Sequence, residues 1–166
     1  MHPLFFRAAT ENDLAAMVDM LADDELGQTR EAPGIPLHAS YQSAFRAIQD
    51  DPNNELIVCE RDGMLAGMLQ ITFIPSLTRT GSWRAQVEGV RVAATQRGQG
   101  IGRQLILHAV ERARLRGCQL VQLTTDKSRP AALRFYETLG FAATHVGLKL
   151  QLPGVTPAPH KKPSGS

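Results

Sequence analysis

Apolar residues recur along this chain with two distinct periods, and the switches between them lay out its elements. A helical period puts Leu14, Met17, Val18 and Leu21 on one face of a helix starting at about residue 11, with Thr10 as its cap and Glu11 and Asp13 in its first turn. The same period returns in residues 40–49 through Tyr41, Ala44, Phe45 and Ile48. It returns again from Ile101, where Leu105, Ala109 and Ala113 share a face broadened by Ile106 and Val110. Alternating or continuous apolar runs predict strands at residues 4–7, 56–60, 64–73, 83–92, 119–124 and 142–150. The second and third of these form a hairpin through Arg61, Asp62 and Gly63. Breakers supply the punctuation: Pro33, Gly34 and Pro36 mark residues 27–37 as a loop, residues 51–54 form a turn, and residues 75–82 form a second loop. Gly117 closes the long helix as a left-handed C-cap, and a further helix over residues 130–139 opens with Pro130 and stops before Gly140.

The order is βααβββαβαβ, with hairpins early and crossovers late. It predicts an α/β (α+β) domain built on a mixed sheet flanked by helices, a single domain over residues 1–152. Residues 153–166 carry Pro153, Pro157, Pro159 and Pro163 with Lys161 and Lys162, and read as a disordered tail.

Composition narrows the class of protein. A chain of 166 residues, 43% hydrophobic and 20% charged, can bury a core without metal or disulfide support. A formal net charge of +2 makes no case for nucleic acid or an anionic membrane as partner. Cys59 and Cys118 stand alone, with neither zinc-ligand spacing nor a disulfide framework, which predicts a reducing compartment. The acidic N-terminal helix stands where a secretory signal would need a long apolar run, so the expected location is the cytoplasm.

The densest chemistry lies in Arg97-Gly98-Gln99-Gly100-Ile101-Gly102-Arg103, between an apolar strand and an amphipathic helix. Glycine lets backbone approach an anion, and the N–H groups of a first helical turn have no partner of their own. This predicts a cradle for a phosphate-bearing ligand. The bland alternative, a flexible surface turn, does not call for glycines at alternate positions directly before a strong helix. A dinucleotide-binding turn needs a third glycine where Arg103 stands, and a P-loop needs a Gly-Lys-Ser/Thr that does not follow.

With this motif and the segment Ala131-Ala132-Leu133-Arg134-Phe135-Tyr136-Glu137-Thr138-Leu139-Gly140-Phe141, the chain resembles the GCN5-related N-acetyltransferases over roughly residues 4–150. That family's pyrophosphate signature, Arg/Gln-x-x-Gly-x-Gly/Ala, is met by Arg97 to Gly102, and its fourth strand by Val87-Glu88-Gly89-Val90-Arg91-Val92. The resemblance implies an acyl-CoA N-acyltransferase fold whose fourth and fifth strands splay apart around the pantetheine arm. It implies acetyl-CoA as acyl donor, a primary amine as acceptor, and no metal. The cofactor would be held by Arg97, Gly98, Gln99, Gly100, Ile101, Gly102 and Arg103, by Val90, Arg91 and Val92, against which the pantetheine would bond like an added strand, and by Ser128 and Tyr136. Many relatives have asparagine seven residues before the tyrosine, where this chain has Arg129 preceded by Ser128. Backbone N–H groups near Val90 would face the thioester carbonyl.

Two residues are candidate catalysts. Glu88 is an acidic residue inside an apolar strand, followed at once by Gly89, a sign of a bulge; a half-buried carboxylate there would serve as general base. The alternatives are a solvated strand face or a pair with Arg84 or Arg91. The resemblance places the Tyr136 hydroxyl near the coenzyme A sulfur as general acid, against a purely packing role beside Phe135 and Phe141. His145 on the last strand, the acidic run Asp23-Asp24-Glu25, and Arg79, Trp83 and Arg84 border the region where acceptors enter in relatives. The acceptor itself, whether a small molecule, an amino acid, or a protein terminus or lysine, is open at this level. So are a non-catalytic acyl-CoA sensor and the choice between monomer and homodimer.

Overall fold

The computed structural model describes residues 3–23 and 26–154. Asp24 and Glu25 of the acidic run, and the tail from residue 155 onward, lie outside the described residues. Strand β1 (Phe5–Ala8) leads through a short 3-10 turn into α1 (Leu14–Ala22), and α2 (Ala39–Asp50) follows after the loop. Strands β2 (Asn54–Arg61), β3 (Met64–Pro75) and β4 (Trp83–Val92) form a meander, with one helical turn, α3 (Thr78–Gly81), before β4. Helix α4 (Ile101–Leu115) crosses to β5 (Cys118–Leu123), and α5 (Pro130–Glu137) closes the ordered elements. The sheet runs β1-β2-β3-β4-β5, antiparallel throughout except for the parallel β4–β5 pair.

Local chemistry explains most of these elements. Asp62 and Gly63 both take positive φ, the backbone of a two-residue hairpin turn, so Arg61 and Met64 pair directly. Gly117 ends α4 at φ +73, with its N–H donating to the Arg114 carbonyl. At α1 the cap goes beyond the expected one. The Thr10 hydroxyl also bonds Asp13 Oδ2 at 2.9 Å, and the Asp13 carboxylate reaches back to take the Thr10 N–H at 2.7 Å.

The sheet buries both faces of its middle. On one, Leu69, Ile71, Phe73, Ala85 and Val87 pack on Ile101, Leu105, Ile106, Ala109 and Ala113 of α4, the face the helical period marked out. On the other, Met17 and Val18 of α1 and Phe45 of α2 cover Val58 and Met68. Those two helices cover only part of that second face. Toward β4 and β5 it carries polar side chains instead.

Arg7 joins the first strand to the start of α1, bonding Asp13 through both terminal nitrogens and Glu60 across the sheet. The guanidinium's hydrogen bonds hold the Asp13 carboxyl at about 2, against an opposing push from burial. A carboxyl lowered on folding contributes stability that is complete above its unfolded pKa, near 4, and is lost as pH falls through about 2. Asp13→Asn is therefore expected to cost about 2 kcal/mol at pH 7 and progressively less toward pH 2, measured by urea denaturation across pH.

One predicted element does not form. Residues 142–150 are irregular and unpaired, with the Thr144 N–H turned back to the Ala142 carbonyl, so the expected last strand is absent from the sheet. Val146, Leu148 and Leu150 alternate as a strand's apolar face would, yet they are 75%, 91% and 87% exposed. Alternation specifies a face, but it supplies neither a free edge to pair with nor a surface to pack on. Here β5 ends the sheet with an open edge, but residues 142–150 do not pair with it, and their apolar side chains meet no surface that covers them.

Candidate active site

Strand β4 is shared between two partners and loses one of them halfway. It pairs with β5 from Trp83↔Cys118 to Val87↔Leu123, and the five residues beyond have no partner on that side among the described residues. The parting coincides with a bulge. Met68 faces Arg91 while Gln70 faces Glu88, so three steps of β4 span two of β3. Gly89 absorbs the extra residue at φ +61, a conformation most side chains avoid. The expectation of a bulge and of splayed fourth and fifth strands is met here.

The exposed edge of β4 is held open by arginines. The Val90 carbonyl accepts from Arg91 Nη1 at 3.0 Å and the Val92 carbonyl from Arg97 Nε at 3.2 Å. Residues two apart present their carbonyls to the same side. The intervening Arg91 carbonyl points the other way, toward Gly67, where a Cβ would come within 2.7 Å of it. The guanidiniums thus take the place of the missing strand, and an extended ligand could replace them.

At the head of that edge the glycine loop forms a cradle. Gly98 and Gly100 take φ +75 and +78, and a 15-residue helix begins at once. Its first internal bond runs from Gln104 N–H to the Gly100 carbonyl, which leaves the N–H groups of Ile101, Gly102 and Arg103 without intrahelical partners. No side chain caps them. They open on a cleft of about 340 Å³ lined by Val92, Arg97, Gly98, Gly100, Gly102 and Phe135, with Arg103 exposed at its rim. Gly102 keeps the wall thin: a Cβ there would stand 3.5 Å from the Phe135 ring. Partnerless N–H groups, positive-φ glycines and an open cleft fit a diphosphate, so the residues present suit coenzyme A.

Two arginines brace the cradle. The Arg97 guanidinium is already engaged: it bonds Asp23 at 2.6 Å and the Val92 carbonyl, tying the end of α1 to the end of β4. Arg61 was not among the expected site residues. It is 8% exposed, and its Nη1 donates to Gln96 Oε1 at 3.2 Å and Gln99 Oε1 at 2.5 Å, so a buried positive charge supports the loop from below. Nothing in the sequence links a residue before a hairpin turn to glutamines more than thirty positions later.

Tyr136 lies half-buried on α5, edge-on to Phe135 at 5.1 Å and to Phe141 at 5.9 Å. Burial pushes its phenol above the ordinary value, while the positive charges of Arg129 and Arg91 pull the other way. The influence of Arg91 places this helix beside the second half of β4. Adjacent aromatics separate as their directions require: Phe135 lines the cleft, and its neighbour carries the hydroxyl.

Other expected residues are less well placed. Glu88 sits at the bulge where the strands part, but it is exposed, not half-buried. Its side chain follows the Arg84–Gln86 alternation onto the face away from α4, where β5 no longer covers it. The Ser128 hydroxyl donates to Asp126 at 2.7 Å in the turn before α5, and Arg129 is exposed beside it. His145 is exposed and, among the described residues, bonds Thr144 next to it. Both cysteines are free, and burial pushes the Cys59 thiol up to about 11. Among the described residues no three His, Cys, Asp or Glu side chains group as a metal site would need.

The site is thus a helix-flanked sheet opened along one strand, with the glycine loop and the start of α4 at the mouth of the opening. The sequence profile of the acetyltransferase (GNAT) family matches residues 5–141. The chain is 31% identical over 153 residues to glucosamine 6-phosphate N-acetyltransferase of Trypanosoma brucei brucei, spanning 90% of this chain and 96% of that protein. It is 32% identical over 108 residues to aminoalkylphosphonate N-acetyltransferase of Salmonella typhimurium, spanning 65% and 70%. A solved structure from Bacillus halodurans C-125, described as a transcriptional regulator, superposes with a TM-score of 0.88 at 58% identity, over 90% of this chain and all of that one. The chain belongs to the GNAT family of acetyl-CoA-dependent N-acetyltransferases.

Proposed function

We propose that this protein transfers an acetyl group from acetyl-CoA to the primary amine of a small molecule, by direct attack within a ternary complex. The observation that carries the reading is the parting of β4 from β5 beyond Val87, with the partnerless N–H groups of Ile101, Gly102 and Arg103 at its head. Backbone from Gly98 to Arg103 holds the diphosphate. Val90 and Val92 bond the pantetheine arm along the open edge while the Arg91 backbone faces β3, and a backbone N–H near Val90 faces the thioester carbonyl as it gains charge.

Acetyl-CoA supplies the acetyl group as a thioester, so the C–S bond breaks as the amine's N–C bond forms. Glu88 takes the proton that the acceptor ammonium must lose before it can attack, directly or through water. Tyr136 donates its hydroxyl proton to the departing sulfur, and the second proton that the nitrogen sheds on becoming an amide passes to solvent, from which the phenol is restored. No enzyme nucleophile is needed. Cys59 is buried in the α4-side core with its thiol held protonated, which fits direct transfer.

Two free cysteines suit a reducing compartment, and we place the protein in the cytoplasm. Among the described residues no helix is long and apolar enough to cross a membrane. A screen of primary amines with detection of released coenzyme A thiol tests the reading; no acceptor-dependent release from any amine would overturn it.

Glu88→Gln should lower the rate most at neutral pH and below. The deficit should shrink as pH rises and the acceptor deprotonates unaided, by about 10²-fold at its largest. A deficit independent of pH in a rate profile would remove Glu88 as base.

The likeness to a protein described as a transcriptional regulator favours one second reading, an acyl-CoA-responsive module without transferase activity. Tight acetyl-CoA binding with no transfer to any amine would select it.

A further inference from the structure

On the sheet face that α1 and α2 leave uncovered, the side chains form a polar floor leading to the parting of the strands. Ala85 and Val87 point into the α4-side core, so Arg84, Gln86 and Glu88 point to the opposite face. Gln86 lies beside Gln122 of β5, whose amide donates to it at 2.8 Å. Across β3, Gln70 and Thr72 both donate to Asn54 Oδ1, at 2.9 and 2.7 Å. In register Gln70 faces Glu88 and Thr72 faces Gln86, so the floor is continuous from β2 to β5. These amides and hydroxyls bond one another along the sheet and keep further donors and acceptors for whatever lies above them.

Arg84 stands at the far end of this floor, between Ile74 and Leu120. It is half-buried, and its Nε has neither a hydrogen-bond partner nor accessible surface. No ion pair joins it to a carboxylate among the described residues. By contrast Arg7, Arg97 and Arg112 are each paired with an acidic side chain. A buried guanidinium N–H without a partner is costly, and the group's planar fork matches an oxyanion.

Resting on the acetyl-transfer reading above, we infer that the acceptor is an amine that also carries an anionic group, a phosphate, phosphonate or carboxylate. Arg84 takes the anion, the Gln86–Gln122 pair lies under the atoms between, and the amine reaches Glu88. Four residues of strand separate the two ends, about 13 Å between backbones at ~3.3 Å per residue, shortened by the reach of both side chains. The acceptor is therefore an extended or ring-containing molecule, with hydroxyls suited to the carboxamides beneath it. Arg84 is a specificity residue and takes no part in the bond changes.

The test compares an amino sugar with its 6-phosphate, and an unbranched amino alcohol with its phosphate ester. Wild type should favour the anionic member of a pair in kcat/KM, and Arg84→Met should cut that preference by about tenfold or more. Arg84→Lys, which keeps the charge but not the fork, should retain part of it. Because Arg84→Met alters a strand residue of the sheet, a second measurement uses wild type alone. A sugar 6-phosphate lacking the amine should inhibit competitively against the amine and not against acetyl-CoA. Equal use of both members of a pair, an unaltered preference in Arg84→Met, or no inhibition by the amine-free phosphate overturns the inference. Calorimetric binding of the anionic amine without any turnover would uphold Arg84 and instead refute the catalytic reading.

Discussion

Tyr136→Phe should lower turnover by about 10²- to 10⁴-fold while weakening acetyl-CoA binding far less. The phenol ring packs edge-on against Phe135 and Phe141, and phenylalanine keeps those contacts. What the substitution removes is one hydroxyl, to which no hydrogen bond runs from any described residue. The phenol's pKa is raised by burial, so at neutral pH it holds its proton and can give it to a leaving thiolate. The sign follows directly: the protonated form is the active acid, so turnover should fall only as pH rises through a pKa displaced above the ordinary tyrosine value. In the phenylalanine variant that alkaline limb should vanish. Steady-state rates across pH, with calorimetric binding of acetyl-CoA, check both parts. Unchanged turnover would reduce Tyr136 to a packing residue.

Gly100→Val should weaken acetyl-CoA binding by about 5- to 30-fold, the factor that 1–2 kcal/mol of left-handed strain implies, with more if the loop changes path. Gly100 precedes α4 at φ +78, where a β-branched side chain is strongly disfavoured. There is open space around it, as no heavy atom lies within 4 Å of a Cβ built there, so the effect is one of backbone conformation and not of collision. The direction of the N–H groups in the first turn depends on that conformation. Calorimetry reads the loss directly, and thermal denaturation separates it from general destabilisation. Full affinity in the valine variant would mean that the diphosphate is held elsewhere.

The contrast between these two residues shows how unevenly a site is written into a chain. The cradle was legible because it is local: Gly98, Gly100 and Gly102 adjoin one another, and the helix they introduce is marked by its own apolar period. The bulge at Gly89 was legible for the same reason, as a glycine inside a strand. Arg61 was not. Its partners Gln96 and Gln99 reach it only because the β2–β3 hairpin folds back beneath the loop. The exposure of Glu88 was not legible either, since an acidic residue between Val87 and Gly89 reads as half-buried until β5 is seen to stop at Leu123. Residues 142–150 failed in the opposite sense. Their alternation is real, but no edge of this sheet receives them.

By itself the sequence determined what short-range physics controls: the periods that make α4 and the core strands, the positive-φ glycines that end and begin helices, and hence the anion cradle with its family signature. Only the tertiary structure decided which arginines brace that cradle, where β4 loses its neighbour, and that Arg84, Gln86 and Gln122 share one uncovered face. Those outcomes depend on strand register and on which elements run out first. Both are set by contacts between residues far apart in the chain, which no local pattern encodes.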